Sequence, residues 1–214
     1  MQITDQRDGI PRESVADPEI GEAALTMWAS QFGDEYLERN QVDWTDRVPL
    51  LRRLAEQTGA RSFLDVGCNA GWNLHALRAI NPDFAMSGVD VNHRALQAAA
   101  AAGFDVVNAR ADSVAELFSP GSADMVITSG VLIHIPTEQL IAVMEAIRDA
   151  SAGYVLAIEY AASREEAVEY RGQRDRLWRR PYGELYQSLG LSLLEFGQAD
   201  GYNDCTYWLL EKAS

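Results

Sequence analysis

The stretch DVGCNAG at residues 65–71 sets an aspartate, two glycines and an asparagine between an apolar run and a helical pattern. Gly67 and Gly71 allow the backbone to come close to a ligand at the carboxyl edge of a parallel sheet. A dinucleotide site would want G-x-G-x-x-G. Here the spacing is G-x-x-x-G, with Asn69 where the middle glycine would stand, so pyrophosphate fits poorly. Asp65 closes the apolar run and places a carboxylate where pyrophosphate would sit, which suits an ammonium group instead. Asp90, about 25 residues on, ends the next apolar run, where α/β cofactor folds put a carboxylate for two ribose hydroxyls. Asp112 follows the third run, placed to accept from an adenine amino group. A single aspartate after a strand is commonly only its terminator. Three of them, each after its own strand beside a glycine turn, describe an ammonium, a ribose and an adenine: S-adenosylmethionine (SAM).

Further chemistry-bearing residues fall at the same edge. His134 lies just past the fourth apolar run, before Pro136, and is expected to take a proton from an oxygen or nitrogen nucleophile. The alternative is a histidine packed between Leu132 and Ile135. Glu159 and Tyr160 end the fifth run, and Glu159 would position a hydroxyl or amine. Arg171, Arg174, Arg176, Arg179 and Arg180 crowd into ten residues of a chain whose net charge is -14. The planar guanidinium grips carboxylate or phosphate at two points, so Arg171 and Arg174 are expected to hold an anionic substrate. The alternative is a solvated helix face paired with Glu165, Glu166, Glu169 and Asp175.

The elements that must position these residues follow from periodicity. Helices are expected from about Pro18 to Gln31 and from Trp44 to Gln57, the second with Leu50, Leu51 and Leu54 inward and Gly59 closing it. Strands are expected at 62–67, 84–91, 104–109, 123–129 and 153–160. Helices fall between them at 73–80, 94–102, 114–118 and 137–150. This alternation means a parallel sheet covered on both faces. The tail reads differently, as a helix at 182–189 and two strands, 191–197 and 205–212, joined closely enough to be antiparallel neighbours.

Composition bounds the partners. A chain of 214 residues with 47% hydrophobic content builds a real core. A pI near 4.5 argues against nucleic acid or an anionic membrane as the main partner. No run reaches about 18 apolar residues, and the first residues lack a signal-peptide pattern. Cys68 and Cys205 fit a reduced cytoplasmic protein. Neither they nor His75, His93 and His134 show metal-ligand spacing, so no metal is expected.

LDVGCNAG, GVDVN and ADMVITSGVLIHI resemble the first, second and fourth motifs of the class I SAM-dependent methyltransferases. More narrowly, FGDEYLERN (32–40), TSGVLIHIP (128–136), IEY (158–160), YRGQRDRLWRR (170–180) and YWLLEK (207–212) resemble the methyltransferases named for association with pseudaminic acid biosynthesis. The resemblance spans about Trp28 to Lys212. It implies a doubly wound, Rossmann-like seven-stranded sheet, order 3-2-1-4-5-7-6, with only the last strand antiparallel. Residues 1–58 would form a helical lid and 59–214 the SAM-binding domain. Cofactor contacts would come from Asp65, Gly67, Cys68, Asn69, Gly71, Asp90, Asn92, Asp112 and Ser129. From the lid, Tyr36 would join them, with Arg39 reaching the methionine carboxylate, while Trp28 only packs the helices. Catalysis would rest on His134, Glu159 and Tyr160, acting on a small anionic metabolite such as a sugar acid or amino-acid-derived intermediate. Two alternatives stand beside methyl transfer: another displacement at the sulfonium, such as cyclisation of SAM, or an inactive SAM-binding module.

Overall fold

The computed structural model describes residues 26–40, 42–170 and 173–213, with backbone alone at 170 and 173–175. Five parallel strands form first: β1 (Ser62–Val66), β2 (Ala85–Asp90), β3 (Asp105–Asn108), β4 (Ala123–Ser129) and β5 (Ser151–Glu159). A hairpin, β6 (Glu166–Tyr170) and β7 (Gln173–Arg179), stands apart, and β8 (Leu191–Gln198) and β9 (Thr206–Lys212) complete the main sheet. Its order is β3-β2-β1-β4-β5-β9-β8, with β9 antiparallel to both neighbours. The expected topology is therefore the observed one. The order of strand addition reverses between β1 and β4, with β2 and β3 on one side and β5 on the other, which opens a crevice at their carboxyl ends.

The helices are α1 (Gln31–Arg39), α2 (Val48–Thr58), α3 (Trp72–Ile80), α4 (His93–Ala101), α5 (Val114–Leu117), α6 (Thr137–Ala150) and α7 (Tyr182–Ser188). A period of two on the strands divides the core. Leu64, Val66 and Val126 face α6, where Leu140, Met144 and Ile147 are buried. Phe63, Met125 and Ile127 face α2 and α3, with Leu50, Leu51 and Leu54. That parity puts Asp65 on the α2/α3 side. Among the described residues no helix is long and apolar enough to cross a membrane.

Three expectations change. The helix expected at 18–31 lies mostly outside the described residues, of which 26–28 are helical, and α1, read only as a motif, follows it. The segment expected as one helix from Trp44 starts as a 3-10 turn, Trp44–Arg47, because Pro49 at the helix start lacks an amide and fixes the local φ. The arginine-rich segment is not a helix face. Its backbone pairs Glu166 with Arg179, Ala167 with Trp178 and Val168 with Leu177, and Leu177 and Trp178 are buried.

Candidate active site

A cavity of about 320 Å³ opens at the carboxyl ends of β1, β2 and β4. Its floor is the glycine turn. The Gly67 and Cys68 amides both donate to the Val89 carbonyl, at 2.8 and 2.9 Å, folding the turn back over β2. Gly67 has φ +76°, and a Cβ there would meet Val131 Cγ2 at 2.1 Å, so its close approach is to the turn after β4. Asn69 has φ +50°, a left-handed conformation that asparagine tolerates and that replaces the missing middle glycine. Gly71 (φ +81°) starts α3 and lies under Phe104 rather than in the cavity wall. Cys68 lines the cavity, and burial pushes its thiol well above the usual range, leaving it inert.

Asp90 is held as a carboxylate holder should be. Its Oδ2 accepts from the Asn69 amide and its Oδ1 from the Asn92 amide, each at 2.8 Å. Burial raises its pKa, opposed by those backbone donors. Each oxygen keeps a further lone pair, and the residue lines the cavity. Elsewhere on the cavity wall, the Asp112 carboxylate is clasped by Arg110 Nε (2.8 Å) and Nη2 (2.7 Å), so it is paired with arginine before any ligand arrives. The side chain of Asn92, expected on the cofactor, is committed elsewhere: to Trp28, Asp34 and Ala95.

Next to Asn73, which lines the cavity with Arg47, Asp65 is fully buried and is not itself part of the lining. Its Oδ1 accepts from Asn73 Nδ2 at 3.1 Å, and its Oδ2 has no partner among the described residues. Burial pushes its pKa up to about 7, against the Asn73 hydrogen bond and the nearby Arg47 charge. Arg47, also buried, donates from Nη1 to Asn73 Oδ1 at 2.8 Å and lies 4.4 Å above the Tyr202 ring, while its Nε lacks a partner. An unmet acceptor and an unmet donor, linked through one asparagine, match the ammonium and carboxylate of an amino acid. Arg39, assigned to that carboxylate by resemblance, is corrected here. It is exposed, pairs with Glu35 one helical turn away at 3.1 Å, and does not reach the cavity.

The remaining wall joins Ser129 and the 3-10 turn Leu132–His134 to Trp28, Gly33 and Tyr36. The His134 Nδ1 lies 2.7 Å from the Arg176 carbonyl, an obligate acceptor, so Nδ1 carries the hydrogen. Burial drives the imidazole pKa down to about 4, keeping the ring neutral with its lone pair on Nε2. Trp28 is not merely packing. It lines the cavity, its ring 4.6 Å from that of His134 and 5.2 Å from that of Tyr36. Tyr160 lines the same wall, with the Arg179 guanidinium 5.4 Å over its ring.

Glu159 does not face a substrate. It is fully buried and its carboxylate accepts from the amides of Val131, Leu132 and Ile133 at 3.2–3.4 Å, beneath the turn that carries His134. Burial raises its pKa to about 7. Its role is therefore support. Arg171 lies outside the described residues, and Arg174 is placed on β7 by its backbone only.

Residues 36–194, well over half of the chain, match the family described as methyltransferase domain. The chain belongs to that family. A search among curated proteins finds no sequence match. Among solved structures, the chain is similar to the 1,6-didemethyltoxoflavin-N1-methyltransferase of Burkholderia thailandensis, with TM-score 0.72 and 14% identity over 94% of this chain and 93% of that one. It is similar to the magnesium protoporphyrin IX methyltransferase of Synechocystis (0.66, 14%, 91% and 97%). It is also similar to a sugar N-methyltransferase of Streptoalloteichus (0.65, 17%, 85% and 93%). These likenesses establish the class I methyltransferase fold.

Within this methyltransferase, sequence reasoning missed Arg47, Asn73 and Tyr202. A signal for Arg47 was present. Positions 47, 50, 51 and 54 share one helical face, and an arginine beside Leu50, Leu51 and Leu54 is a charge pointed at the core. Tyr202 gave no such signal, since it sits in the β8–β9 connection. Its place depends on Gly201, where a Cβ would meet the Asp46 carbonyl at 2.5 Å.

Proposed function

We propose that the protein transfers a methyl group from SAM to an oxygen or nitrogen of a small molecule. The carrying observation is the Arg47–Asn73 pair, which lines the same cavity as Asp90; Arg47 Nε, and Asp65 Oδ2 on the buried aspartate bonded to Asn73, have no partner among the described residues. Asp65 would take the ammonium, Arg47 the carboxylate and Asp90 the ribose hydroxyls, with the Arg110–Asp112 pair bordering the adenine. Gly67, Cys68 and Asn69 supply backbone beneath, and Ser129 closes the crevice at β4. When bound, SAM supplies a methyl group activated by its sulfonium, so no metal is needed as Lewis acid.

The chain's own task is to orient the acceptor. Neutral His134 offers Nε2 as a hydrogen-bond acceptor for the nucleophile's O–H or N–H, and Trp28, Tyr36 and Tyr160 give its surroundings an aromatic character. The named neighbours in fold methylate small molecules, which supports the same class of acceptor here. An anionic group on it, as in a sugar acid of the kind the pseudaminic acid resemblance suggests or an amino-acid derivative, falls to Arg171 and Arg174.

Two measurements test this. Replacing Asp90 by Ala should weaken SAM binding by about 1–3 kcal/mol in calorimetry, the loss of hydrogen bonds to a charged acceptor; unchanged affinity would sink the ribose assignment. A metabolite screen for a mass gain of one methyl should yield an acceptor whose KM rises about tenfold or more in Arg171→Ala. A neutral acceptor, or an unaltered KM, removes the anion site. Methylthioadenosine formed from SAM alone would replace methyl transfer by cyclisation.

A further inference from the structure

Asn92 lines the cavity beside Asp90, yet both donors of its side chain are already engaged and its oxygen already accepts one bond. Its Oδ1 accepts from the Ala95 amide at 2.7 Å and caps α4. Its Nδ2 donates to the Trp28 carbonyl at 3.1 Å and to Asp34 Oδ1 at 3.0 Å. Two obligate acceptors and one obligate donor fix the orientation of this amide. Its main-chain amide also donates to Asp90 Oδ1. One residue thus joins the ribose carboxylate, the helix behind it and the lid segment, from which Trp28, Gly33 and Tyr36 line the cavity.

Gly33 shows how closely the two sides meet. A Cβ there would sit 2.0 Å from the Trp28 carbonyl oxygen and 2.6 Å from Asn92 Nδ2. The other described tie between α1 and α4, Glu38 to Arg94 at 2.8 Å, joins two exposed side chains and is worth little.

We propose that Asn92 is a positioning residue that latches residues 28–34 across the cavity and thereby sets how long a bound nucleoside stays. The proposal rests on the SAM-site reading above. Asn92→Ser keeps an oxygen able to cap α4 but is too short to span to both lid partners. Gly33→Ala strains the same latch from the lid side and removes none of the groups that cap α4 or hold Asp90. With S-adenosylhomocysteine as the probe, stopped-flow dissociation should be about tenfold faster or more in both variants, from the loss of two hydrogen bonds. Amide exchange should accelerate over residues 28–38 and stay at the wild-type level in α4. Wild-type release rates in both variants overturn the latch while leaving the SAM site standing. So does faster exchange confined to α4, which would make Asn92 a helix cap alone. A wild-type protein that does not bind the probe overturns both readings.

Discussion

Asp65→Asn is expected to weaken SAM binding by roughly 10–150-fold at pH 8 and to remove most of its pH dependence. The reason is the state of the empty site. Burial holds the Asp65 carboxyl at a pKa of about 7, so below neutrality the ligand-free protein carries a neutral acid there. An ammonium needs the carboxylate, and binding must expel that proton. Affinity in the wild type should therefore climb about tenfold per pH unit up to about 7 and level off above it. The loss in the variant is that of a hydrogen bond between charged groups, about 1.5–3 kcal/mol. Near pH 5.5 the two proteins should converge. Calorimetry in buffers of different ionisation enthalpy would register the released proton, and a pH-independent wild-type affinity would refute the assignment. The sign for folding is opposite to that of a salt-bridged acid. The unfolded chain loses this proton near pH 3.8, whereas the folded one keeps it to about 7. The contribution of Asp65 to stability is therefore present below about 4 and lost as pH rises to 7, on the order of 4 kcal/mol, and Asp65→Asn abolishes that dependence.

The parts of this molecule that were readable from sequence are those where one physical signal dominates. The bounds of β4 and α6 fell where the sequence put them, because a continuous apolar run between turn residues and a long 3.6-residue period leave little competition. β1 stops at Val66, just before the glycine, which leaves Asp65 one residue inside the strand, while Asp90 ends β2. The hairpin was lost because its five arginines drew the reading towards charge, while Val168, Leu177 and Trp178 supply the burial that decides its conformation. Glu159 was read correctly as a strand end and wrongly as a substrate contact. Periodicity places a residue at an edge, but three backbone amides from residues 131–133 claim this carboxylate, and those come from a turn whose course no local pattern fixes. Arg39 and Arg47 were exchanged for a related reason. Which arginine reaches the cavity depends on how α2 packs on α3, a tertiary fact.

Arg180→Ala should lower stability by about 3–5 kcal/mol and Tm by roughly 6–20 °C. Arg180 is 1% exposed. Its Nε donates to Glu165 Oε2 at 2.6 Å, its Nη1 to the Leu132 carbonyl at 3.0 Å and its Nη2 to Thr137 Oγ1 at 3.2 Å, with Trp178 packed 4.8 Å from the guanidinium. Those three acceptors belong to the connection leading into the hairpin, the turn that carries His134, and the start of α6. A planar fork can serve three segments at once, and an ammonium on a flexible stem cannot. Arg180→Lys should therefore recover only part of the loss. Truncation leaves a cavity beside Trp178 and takes one partner from the Leu132 carbonyl, which still accepts from the Ile135 amide at 3.2 Å. Glu165 is partly exposed and can turn to water, which places the expected loss nearer the lower bound. The main-chain bonds between Arg180 and residues 160 and 162 survive the substitution, so the hairpin stays attached to β5 while its clasp on the turn is gone. The turn that carries His134 then keeps Glu159 beneath it and the Arg176 carbonyl on the ring but loses this clasp, and turnover should fall in the folded variant even well under its Tm. Thermal denaturation decides the first half of this: a Tm within 2 °C of wild type would mean that the buried guanidinium contributes nothing net, its three bonds only offsetting the cost of removing the charge from water.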